Sequence, residues 1–85
     1  MKLIQLDIKP MSYKIPIDHD LEQLGQTIRR IREESGYTKE QFIAKAELGK
    51  YYYYRIEYGN ANPSVRQLRK IADALSVNVA DLIEF

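Results

Sequence analysis

Residues 37–59, YTKEQFIAKAELGKYYYYRIEYG, constrain this chain more than any other stretch. Thr38 with Gln41 three residues later has the spacing of a capping box, in which each side chain satisfies the other residue's free backbone N–H. Tyr37 before the cap and Phe42 beyond it form a hydrophobic staple that fixes how the chain enters the helix. A helix therefore starts after Thr38, with Phe42, Ile43 and Ala46 on its inner face. Glu47-Leu48-Gly49 reads as a turn with Leu48 pointing into the core, and Gly49 is an acceptable N-cap for a second helix. In that helix Tyr53 and Ile56, three apart, share the inward face, which leaves Lys50, Tyr51, Tyr52, Tyr54 and Arg55 mostly outward. Aromatic residues are indifferent helix formers, so several exposed tyrosines near a helix start need a reason other than helix stability. Gly59 ends the helix. Two short helices joined by a tight turn make a helix-turn-helix, and its second helix is the kind that enters the DNA major groove.

The flanking segments read as support for that pair. Helix 1 is expected from about Asp18 or His19, with Asp18 as N-cap and Asp20 and Glu22 favouring the positive end of the helix dipole. His19 reads as a solvated or capping residue. Leu21, Leu24, Ile28 and Ile31 form an amphipathic stripe, and Gly36 suits the position just past the helix end. After the loop Asn60-Ala61-Asn62-Pro63, Ser64 and Gln67 repeat the capping-box spacing. Leu68, Ile71, Ala72 and Leu75 give that fourth helix its buried stripe. Asn78 caps a short fifth helix carrying Val79, Leu82 and Ile83. The expected fold is all-α: a five-helix domain over residues 18–85 with a short extended arm appended.

That arm, residues 1–17, has a different pattern. Ile4, Leu6 and Ile8 alternate with polar residues, Pro10-Met11-Ser12 interrupts, and Tyr13, Ile15 and Ile17 alternate again, which is a strand period. A hairpin and two separate extended segments both fit, with Pro16 restricting the second segment to an edge. A lone hairpin is marginal in water, so the arm needs a surface: a second subunit or its own helical body, the alternative being a disordered tail. It contains no arginine, which argues against insertion into the minor groove.

Composition removes other classes. With no cysteine and one histidine among 85 residues, neither a disulfide framework nor a Cys/His metal site can be built, and no cofactor is implied. No apolar run approaches the roughly 20 residues needed to span a bilayer, and the N-terminus lacks a signal peptide's basic start and apolar core. A protein of the cytoplasm, not associated with a membrane, is expected. The net charge of +1 is modest for a nucleic-acid binder, so any positive footprint has to come from how the charges are displayed. Glu33, Glu34 and Glu40 read as a solvated surface rather than an acid/base pair, and an enzyme is not expected.

From Leu24 to about Ile83 the chain resembles the lambda and 434 repressor and Cro family of helix-turn-helix proteins, also called XRE-type. The matching pieces are Leu24-Gly25, Ile28-Arg29 and Ile31-Arg32, then Thr38-Lys39-Glu40-Gln41-Phe42, Ile56-Glu57-Tyr58-Gly59, Pro63-Ser64 and Leu68 to Leu75. The resemblance does not reach the arm. It implies a structural ion pair between Arg32 and Glu57, tying helix 1 to helix 3. It also implies a DNA face, in which Lys50, Tyr51, Tyr52 and Arg55 read bases while Lys39, Tyr54, Asn60 and Asn62 meet phosphates. Lysine or arginine can donate to guanine O6 and N7, and tyrosine rings can pack on thymine methyl groups. The chain departs from the family pattern at Glu47, a turn position often held by glycine, at Gly49, where a Ser or Thr cap is usual, at Lys39, where Gln is frequent, and in the tyrosines themselves.

The resulting expectation is a sequence-specific regulator of transcription, acting as a repressor. As a homodimer it would bind double-stranded DNA with a pseudo-palindromic operator. The alternative is an antitoxin or partner-binding protein of the same fold, using the arm or the tyrosine face to hold another protein such as a toxin, because tyrosine is also enriched at protein interfaces.

Overall fold

The computed structural model describes residues 19–83, so the expectations placed on the arm and on Asp18 fall outside the described residues. The described residues form α1 (His19–Glu34), α2 (Lys39–Ala46), α3 (Lys50–Glu57), α4 (Val65–Leu75) and α5 (Val79–Leu82), with no strand among them. Several boundaries have a local chemical cause, although Gly49 opens α3 with no side-chain cap. At the head of α2 the Gln41 N–H donates to Thr38 Oγ1 at 3.1 Å, and the Thr38 N–H donates to Gln41 Oε1 at 2.9 Å, which is a complete capping box. The staple is present, with the Tyr37 and Phe42 ring centroids 6.3 Å apart. The box expected at α4 is only half formed. Gln67 N–H donates to Ser64 Oγ at 3.2 Å, but Gln67 Oε1 is buried without a partner. At α5 the Asn78 N–H donates to Asp81 Oδ2 at 2.9 Å.

Helix ends use left-handed residues. Gly36 closes α1 at φ 85°, with the Tyr37 N–H returning to the Arg32 carbonyl at 3.2 Å. The turn between α2 and α3 does the same without a glycine. Glu47 sits at φ 55°, ψ 49°, and the Leu48 N–H donates to the Ile43 carbonyl at 3.1 Å. A side chain in this region is disfavoured, so the turn carries strain that its surroundings must hold. One support is Lys70 of α4, whose ammonium donates to the Glu47 carbonyl at 2.9 Å.

The core is where the five apolar stripes meet. Ile28, Phe42, Tyr53, Ile56, Ile71 and Leu82 are its largest fully buried side chains, and Phe42 and Tyr53 pack ring to ring at 5.2 Å. Helix α1 lies against α3 and α5, α2 against α3 and α4, and α4 against α5. The α1–α3 approach depends on Gly25. A Cβ there would come within 2.5 Å of both the Ile56 and Glu57 carbonyl oxygens. This close approach lets Arg32 of α1 reach Glu57 of α3.

Candidate nucleic-acid interface

The back of α3 is locked by a buried polar triad. Arg32 Nε donates to Glu57 Oε2 at 2.8 Å, with the two side chains only 5% and 2% exposed. The guanidinium also donates to the Tyr37 carbonyl at 2.8 Å, and the Tyr53 hydroxyl donates to the same Glu57 carboxylate oxygen. Burial works against the Arg32 charge, but the hydrogen bond and attraction of Glu57 outweigh it and hold the group protonated. Burial, then the Glu57 hydrogen bond, pushes the Tyr53 phenol well above its ordinary range. The Arg32–Glu57 contact implied by the family resemblance is therefore present, and Tyr53 joins it as a third member that the period alone marked only as core.

With α3 fixed from behind, its other face is presented together with the first turn of α2. Tyr51 is 75% exposed and Lys50 and Arg55 are exposed beside it. The Lys50 ammonium lies 6.0 Å from the Tyr51 ring and 5.9 Å from the Tyr54 ring. Lys39, from α2, places its ammonium 5.2 Å over Tyr54 and 5.4 Å over Tyr58. Both lysines thus converge on one aromatic cluster, at distances where a cation is attracted to a ring face. Arg55 donates to the Asn60 carbonyl at 3.2 Å, which fastens the α3–α4 loop to the helix, and Asn60 and Asn62 are both exposed there.

Two of the tyrosines sit differently from their expected outward placement. Tyr52 is half-buried and packs against the core, because α3 is wedged between α1 and α2 and its buried arc is wider than one stripe. Tyr54 is half-buried as well, and its hydroxyl donates to Glu40 Oε2 at 3.2 Å. Partial burial and then Glu40 raise the Tyr54 phenol. The Glu40 carboxyl is held below the usual range, first by its own backbone N–H at the open end of α2, then by Tyr54, with Lys50 and Lys39 contributing. Glu40 and Tyr58 are members of this surface that the sequence did not single out. Tyr58 is 63% exposed one turn after Tyr54, an i, i+4 spacing that carried the only available signal.

A family model described as a helix-turn-helix domain matches residues 23–85. The chain belongs to the helix-turn-helix family. It is 34% identical over 65 residues to an uncharacterized HTH-type transcriptional regulator, y4dJ, of Sinorhizobium fredii, which covers 75% of this chain and 84% of that protein. It is 36% identical over 62 residues to the HTH-type transcriptional regulator SinR of Bacillus subtilis, covering 72% of this chain and 56% of SinR, so it spans little more than half of that relative. Its fold superposes on the restriction-modification controller protein C.AhdI of Aeromonas hydrophila with a TM-score of 0.74 at 29% identity, over 76% of this chain and 98% of that one. Fold and family together make residues 23–83 a DNA-binding domain of the lambda-repressor-like helix-turn-helix class. No described helix is long and apolar enough to cross a membrane.

Proposed function

We propose that the chain is a transcriptional regulator that binds double-stranded DNA sequence-specifically, with α3 as the recognition helix. The observation that carries this is the convergence of Lys39 and Lys50 on the Tyr54 ring, beside the exposed Tyr51 and Arg55, on a helix whose back is fixed by the Arg32–Glu57–Tyr53 triad. Lys50, Tyr51 and Arg55 are assigned to base edges. Lys39 and the loop residues Asn60 and Asn62 are assigned to phosphates. Tyr52 contributes at most its exposed edge, because the rest of it packs inward.

A single such domain covers a short half-site, so specificity is expected from a homodimer on a pseudo-palindromic duplex with half-sites about one helical turn apart. Residues 1–17 are the candidate dimerisation element. Occupancy of a promoter by such a dimer would block transcription directly, so repression is the expected outcome.

Selection of bound duplexes from a random pool tests the proposal and supplies the site. Lys50→Ala and Arg55→Ala should each cost about 1–3 kcal/mol against the selected duplex and relax preference at one position. Lys39→Ala should weaken selected and random duplexes alike and flatten the salt dependence. Equal losses on both duplexes for every variant would remove α3 from base reading. Sedimentation of the full chain and of one lacking residues 1–17 tests the dimer and the role of the arm.

A further inference from the structure

The centre of the α2–α3 surface is Tyr54, and its neighbours there carry charge of both signs. Its ring lies 5.2 Å from the Lys39 ammonium and 5.9 Å from that of Lys50, and it meets the Tyr51 ring in a T-shaped pair with centroids 6.3 Å apart. Its hydroxyl donates to Glu40 at 3.2 Å. These partners come from the first turns of two helices, so one ring couples them. We propose that Tyr54 is a positioning residue of the DNA face, acting on DNA only through Lys39, Lys50 and Glu40. This rests on the DNA-binding reading above and deepens it.

The two ends of the side chain do different work. Lysine is a compact charge on a flexible four-carbon stem, and its freedom is lost when it makes a defined contact. A ring that attracts both ammonium groups orders them before DNA arrives. The hydroxyl acts on the opposite charge. Glu40 is exposed, close enough to feel both lysines, and ionised. On a surface that meets phosphates it has the wrong sign, and a freed Glu40 side chain could pair with either lysine and compete with phosphate. The hydrogen bond from Tyr54 fixes the carboxylate to one side. Ring and hydroxyl are thus separable: the ring presents the cations and the hydroxyl restrains the anion.

That separation gives a test by non-additivity, using the full chain and a labelled random-sequence duplex about two helical turns long, read by fluorescence anisotropy. Glu40→Gln should tighten binding by about two- to fivefold, the size of one surface ion-pair effect. Tyr54→Phe keeps the ring and should weaken binding by a similar factor. The double variant should bind like Glu40→Gln alone, because the hydroxyl has no other target. Tyr54→Leu should weaken binding further, and Glu40→Gln should recover only the part that Tyr54→Phe loses, leaving the part owed to the ring. A purely structural role for the hydroxyl would give a Tyr54→Phe loss that Glu40→Gln cannot suppress, so additive effects of these two changes overturn the proposal. Tyr54→Phe binding like the unmodified chain overturns it too. Thermal melts set a temperature at which every variant is folded. If the unmodified chain binds neither random nor selected duplexes, the DNA-binding reading falls and takes this inference with it. If it binds and the variants are additive, only this inference falls.

Discussion

Replacing Arg32 with Met removes the cation from a site that was built around it. The Glu57 carboxylate, 2% exposed, keeps the Tyr53 hydroxyl but loses its counter-charge, and the Tyr37 carbonyl loses its donor. Breaking a buried pair from one side costs about 3–5 kcal/mol. Small domains sit toward the lower end of the usual 5–15 kcal/mol of total stability, so most of the fold's margin is at stake. At roughly 4–8 °C per kcal/mol for a domain of this size, the melting temperature should fall by about 12–40 °C. The triple variant Arg32→Met, Glu57→Leu, Tyr53→Phe removes the charges and the orphaned hydroxyl together. It should recover most of the loss, short of about 1 kcal/mol for the Tyr37 carbonyl. Circular dichroism melts of the three proteins decide this. A single variant melting within a few degrees of the parent, or a triple variant no better than the single one, would refute the view that Glu57 is trapped as a charge.

Three further perturbations follow from the geometry. Gly25→Ala should lower the melting temperature although alanine favours helix by about 1 kcal/mol, because its Cβ meets two carbonyl oxygens at 2.5 Å and overpacking costs about 1–3 kcal/mol or more; a raised melting temperature would show that α1 can back away from α3 at little cost. Glu47→Gly should stabilise by roughly 0.5–1 kcal/mol in a denaturant titration, since relief of the left-handed strain exceeds the entropy glycine gains when unfolded, and the Lys70 contact to the backbone carbonyl is retained. Alkaline pH should destabilise from about pH 10 upward. Unfolded tyrosines release their protons there while Tyr53, with its phenol raised by burial and Glu57, keeps its own, so stability present below pH 10 is lost above it. Tyr53→Phe should reduce that slope in melts taken between pH 9 and about 11.

Most of the fold was legible because its signals are local. A capping box, a staple and a stripe of apolar residues are each visible within a few positions of sequence, and Thr38, Phe42 and Ile28 sit where those rules put them. The Arg32–Glu57 pair spans 25 residues, so only the family pattern could supply it. What escaped depends on how helices lean on one another. The sequence placed Tyr52 and Tyr54 outward, but an eight-residue helix held between α1 and α2 buries parts of more than one stripe. Glu40 looked like ordinary solvated acid because nothing within α2 announces that a tyrosine 14 positions on will hold it. Gln67 had the capping spacing, yet only the Ser64 half of the box formed.

The same contacts resolve the apparent mismatch between a near-neutral chain and a DNA-binding role. Over residues 37–62 the charged side chains are Lys39, Lys45, Lys50 and Arg55 against Glu40, Glu47 and Glu57, four minus three, or +1. Glu57 is buried and neutralised by Arg32, which lies outside that window, so the charge left to solvent is four minus two, or +2. Lys45 is drawn to Tyr37, 4.7 Å from its ring, rather than to the α3 cluster. Glu47 lies in the turn, where its carbonyl meets α4. That leaves Lys39, Lys50 and Arg55 on the α3 side with Glu40 as the one acid among them. Net charge over the whole chain is therefore a poor guide here. Phosphate attraction falls off within about a Debye length, so the charges displayed locally and what holds each in place matter more than the total. A surface this sparsely charged depends on geometry more than on quantity, which is why the single hydrogen bond from Tyr54 to Glu40 can shift affinity by a measurable factor.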